Sequence, residues 1–94
     1  MEKAFLAAWA ANREKAAALG VRMRPVAEED GMQTAFRCLS GSRTSDGFAA
    51  LAQLQRLELS LEALAVDRRF TALFTDQQAN TALTRLLDAG YRFR

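Results

Sequence analysis

Cys38 is the only cysteine in the chain, and Ser40, Ser42, Arg43 and Thr44 follow it closely. Nowhere else do small and polar side chains gather beside a thiol. A loop of this kind can curl backbone amides around the sulfur, and a helix starting beyond it adds a positive dipole end, so a thiolate or persulfide is stabilised. Arg43 adds a fixed positive charge for an anionic partner. Without any thiol reaction, the loop at residues 40–46 can hold an anion or a nucleic-acid phosphate through Ser40, Ser42, Arg43 and Thr44, and Arg68, Arg69, Arg92 and Arg94 are further candidate phosphate contacts. Composition closes most other chemistry. The chain has no histidine, which removes Ser-His-Asp and Cys-His catalysis. One thiol without histidine does not make a zinc site, and Glu28, Glu29 and Asp30 form too short a cluster for a calcium loop. No metal and no cofactor is expected.

The segment Cys38-Leu39-Ser40-Gly41-Ser42-Arg43-Thr44 resembles the active-site loop of rhodaneses, C-x-x-G-x-R-[ST] between a strand and a helix. The resemblance implies sulfur transfer, with Cys38 as the sulfur-accepting nucleophile and Arg43 as the anion-binding residue. It covers these residues alone. The stretch before Cys38 reads as a helix and a hairpin, where rhodaneses have a parallel α/β sheet. The tyrosine-phosphatase pattern C-x5-R is not met, because Arg43 stands one residue too early. Sulfur transfer therefore ranks behind two non-enzymatic readings.

The elements that must position this loop follow from periodicity. Residues 2–19 are rich in alanine and other strong helix formers, with Phe5, Trp9, Ala16 and Leu19 near one face and Gly20 placed to end the helix. Residues 21–26 alternate apolar and basic side chains, which predicts a strand, and Pro25 points to an edge or an end of it. Asp30-Gly31 closes an acidic turn of the hairpin kind. Residues 32–39 are the second strand, with Met32, Thr34, Phe36 and Cys38 on one side. After the loop, Ser45 or Asp46 caps a long central helix from Phe48 to about Ala65. Its heptad-like strip (Ala50, Leu54, Leu57, Leu61 and Leu64) reads as buried core, while Glu62 falls to polar surroundings. A short helical turn follows Asp67 and ends near Phe74. Thr75 and Gln78 then form a capping box for a last helix over residues 76–89, burying Ala79, Leu83, Leu86 and Leu87, with Gly90 closing it. Residues 91–94 alternate aromatic and basic, either as a third strand or as a tail tucked into the core.

The expected architecture is a single small α+β domain over residues 1–94: an N-terminal helix, a β-hairpin, two or three helices and a short C-terminal strand. Charge is close to balanced, with 13 basic and 11 acidic residues spread evenly along the chain, so no basic face marks a nucleic-acid binder. The apolar run near the N-terminus is too short and too soon interrupted by Asn12, Arg13 and Glu14 for a signal peptide or membrane span. A cytoplasmic protein is expected, and its arginine- and alanine-rich composition matches GC-rich bacterial or phage genomes. The leading functional reading is a non-enzymatic interaction or regulatory protein that works by protein–protein contact, as a homodimer or with a protein partner. Phe5, Trp9, Leu54, Leu57 and Leu61 are its candidate interface residues, because a small domain with surplus apolar surface gains by covering it. Nucleic-acid or anion binding is the second reading and the Cys38/Arg43 thiol site the third.

Overall fold

The computed structural model describes residues 1–23 and 30–91. They form five α-helices: α1 (Glu2–Ala18), α2 (Gly31–Ser40), α3 (Phe48–Gln53), α4 (Leu61–Ala65) and α5 (Asp76–Asp88). Two 3-10 turns, Leu57–Leu59 and Thr71–Leu73, lie on either side of α4. Among the described residues there is no strand, so the α+β expectation is overturned: the fold is all-helical.

The error lies in residues 31–40. Asp30 and Gly31 do not turn a hairpin; Asp30 is the N-cap of α2 and Gly31 its first residue. The alternation of Met32, Thr34, Phe36 and Cys38 competes with a three-four spacing of Met32, Ala35, Phe36 and Leu39, and the second pattern wins. Ala35 and Leu39 are buried, while Met32 and Phe36 pack half-buried against the same core. A strand would have sent Ala35 and Leu39 to the face opposite Phe36, whereas a helix gathers all four on one stripe. Gly31 sits so close to α1 that a Cβ there would collide with a Leu6 methyl. The first expected strand and its turn fall mostly on residues 24–29, outside the described residues. Residues 21–23 have no regular structure, and Val21 is buried. Of the expected C-terminal strand only Tyr91 is described, and it follows α5 without pairing in a sheet.

The long helix expected from Phe48 to Ala65 is also broken. α3 ends in a Schellman motif: the Arg56 amide donates to the Leu51 carbonyl at 2.8 Å and the Gln55 amide to Ala52 at 3.1 Å. Gln55 takes the left-handed conformation, φ 58°, alone among the non-glycine residues described. The Ser60 hydroxyl then restarts the chain as the N-cap of α4, accepting from the Ala63 amide at 3.2 Å. The break turns Leu57 and Leu59 inward together with Leu51, which one continuous helix would have spread around its circumference. Because a side chain at left-handed φ costs roughly 1 kcal/mol or more and glycine avoids most of that cost, Gln55→Gly is expected to stabilise the protein by up to about 1 kcal/mol. Gln55→Val is expected to destabilise it by a similar amount, both read from urea unfolding midpoints.

Two clusters make the core. Phe5, Trp9, Ala35, Leu39, Leu61, Leu64, Ala65, Phe70, Phe74 and Ala82 form one, and Ala16, Val21, Phe48, Leu51, Leu57, Leu59 and Leu86 the other. α1 and α5 each contribute to both, so the two longest helices tie the clusters together. Gly20 and Gly90 end these helices in Schellman motifs, with Val21 donating to Ala16 and Tyr91 to Leu86, each at 2.9 Å. The Thr75–Gln78 capping box forms as the sequence indicates. α4 is the centre: Leu61, Glu62, Leu64 and Ala65 are all buried.

Candidate functional site

Cys38 lies in the last turn of α2, at its carbonyl end. This reverses the setting that the rhodanese-like motif implies, because the negative end of a helix dipole disfavours a thiolate. The residues after it lead into a short helix capped by Gly47, with no side-chain cap from Ser45 or Asp46. Burial pushes the Cys38 thiol above its ordinary pKa, the nearby Glu62 carboxylate pushes it further, and hydrogen bonding from Arg85 offsets only part of this. A thiol held protonated is a poor nucleophile at neutral pH.

The polar centre of the molecule is the pair Glu62 and Arg85. Glu62 projects from α4 and is 0% exposed; Arg85 projects from α5, and its side chain is 10% exposed. Arg85 Nη1 donates to Glu62 Oε2 at 3.2 Å and approaches Cys38 Sγ at 3.8 Å. Its Nη2 donates to the Cys38 carbonyl at 3.1 Å and the Gly41 carbonyl at 2.9 Å, so it caps the C-terminus of α2 from a neighbouring helix. Ser45 completes the set, donating to Glu62 from its amide at 2.9 Å and from its hydroxyl. A buried carboxylate is tolerable only when its charge and lone pairs are met, and here the loop after α2 and α5 both converge on one carboxylate of α4, with α2 tied in through Arg85.

This network explains why the loop is ordered around Glu62. Ser45 turns inward to a carboxylate, whereas Ser40, Ser42, Arg43 and Thr44 are exposed. A bound anion at Ser45 would meet the negative charge of Glu62. Arg68 is exposed, and Arg69 is committed to Asp67 by two guanidinium bonds at 3.2 and 3.1 Å and to the face of Phe70. The Arg69 side chain and amide hold the Asp67 carboxyl below its usual range. Arg92 and Arg94 lie outside the described residues. Of the candidate interface residues, Phe5, Trp9, Leu57 and Leu61 are buried and Leu54 is exposed. Among the described residues no group of three or more His, Cys, Asp or Glu side chains converges, and no helix is long and apolar enough to cross a membrane.

Neither Glu62 nor Arg85 stands out in the sequence as a functional pair. The available signal is slight: Glu62 is the sole charge in a run of leucine, serine and alanine, and Arg85 shares a helix face with Ala82. An open groove of about 550 Å³ lies beside the network, between Gly41 and Ser42 of the loop and Gln77, Asn80, Thr81 and Thr84 of α5, with Arg85 at its edge. On α5, Ala82 and Leu86 are buried, and Leu83 and Leu87 point outward at 36% and 55% exposure. The helix is thus rotated by about one residue from the expected face, which is what brings Arg85 to Glu62.

A raised thiol pKa also sets a pH dependence. Below the ordinary thiol range Cys38 is protonated whether the chain is folded or not, and its contribution is constant. As pH rises through the unfolded-state value the unfolded chain loses its proton first, so folding stability falls. Cys38→Ala is expected to flatten the decline in urea midpoint on the alkaline side, and native Cys38 is expected to alkylate more slowly at neutral pH than a free thiol.

No family model, no curated protein and no solved structure matches the chain.

Proposed function

We propose that this protein is a non-enzymatic interaction domain of the cytoplasm that associates with a second copy of itself through the outward face of α5. The observation that carries this reading is the pair of exposed leucines, Leu83 and Leu87, one turn apart on a helix whose opposite side is already packed. A helix with a second apolar stripe gains by covering it, and a stripe on one face is self-complementary across a two-fold axis. The hydroxyl and amide groups of Asn80 and Thr84 supply a polar margin beside the leucines. The protonated state of Cys38 and the internal commitment of Arg85 and Glu62 support a non-enzymatic role.

Sedimentation velocity over a range of micromolar concentrations tests the reading. The expected result is a monomer–dimer equilibrium that the double substitution Leu83→Asp/Leu87→Asp shifts to monomer without loss of helix. Monomer at every concentration, or a dimer indifferent to both substitutions, would overturn it.

A further inference from the structure

We draw no further inference here: the strongest candidate, the open groove between the loop at Gly41 and Ser42 and the side of α5, belongs to the site already described, its Arg85 being committed to Glu62 and to the Cys38 and Gly41 carbonyls.

Discussion

Phe5→Ala is expected to lower folding stability by about 3–5 kcal/mol, the range for emptying a large aromatic site. Phe5 is 0% exposed and sits at the meeting point of three rings. Its centroid lies 5.3 Å from both Phe70 and Phe74 in edge-on contact and 6.0 Å from Trp9. Removing it forfeits the apolar transfer term and the ring contacts, and it leaves a cavity that Phe70 and Phe74 are held from filling by their positions beside α4. For a domain whose total stability is of order 5–15 kcal/mol, such a loss removes much of the folded population. Phe5→Leu keeps most of the volume and is expected to cost roughly half as much or less. Circular dichroism through a urea titration measures both. A loss under 1 kcal/mol for Phe5→Ala would show that the aromatic cluster is not the keystone of the first core.

Arg85→Leu is the second large effect, at about 3–5 kcal/mol, the cost of breaking a buried ion pair from one side. It leaves Glu62 fully buried with Ser45 as its sole remaining polar partner among the described residues, and it uncaps the Cys38 and Gly41 carbonyls. Glu62→Leu is expected to cost less, because Arg85 keeps those carbonyls and reaches solvent at its edge. The double substitution Glu62→Leu/Arg85→Leu is expected to recover part of the loss, since replacing both charges removes the desolvation penalty along with the attraction. Additive losses in the double-mutant cycle would mean that the two side chains act separately. Because Arg85 caps α2 as well as pairing with α4, hydrogen exchange in the last turn of α2 is expected to rise in Arg85→Leu and to stay low in Glu62→Leu.

These two sites differ in how far the amino-acid order reveals them. Phe5 and Trp9 fall on the apolar face that helical spacing marks, and they are buried. Arg85 and Glu62 give no such sign, because a charged residue in a helix is by default solvated, and only its neighbours in space can turn it inward. The same holds for the loop at residues 40–47. Its composition suits a thiol site, yet the state of Cys38 depends on which end of a helix it occupies, and that follows from the period of residues 31–40. There, two patterns overlap, and the outcome rests on whether Ala35 and Leu39 find a core to enter. α1 and α5 provide it.

What the sequence determined by itself is local. Gly20 and Gly90 stop α1 and α5 because glycine reaches positive φ without steric cost, and Thr75 with Gln78 starts α5 because both groups lie within one turn of the amides they serve. The lack of histidine excludes two kinds of catalytic centre in any fold. Tertiary structure alone decided the rest: helix over strand at residues 31–40, the break at Gln55 that turns Leu57 and Leu59 inward, and the rotation of α5 that buries Arg85 against Glu62. Each depends on contacts between residues far apart in the chain, where the gain from burial outweighs the local preference.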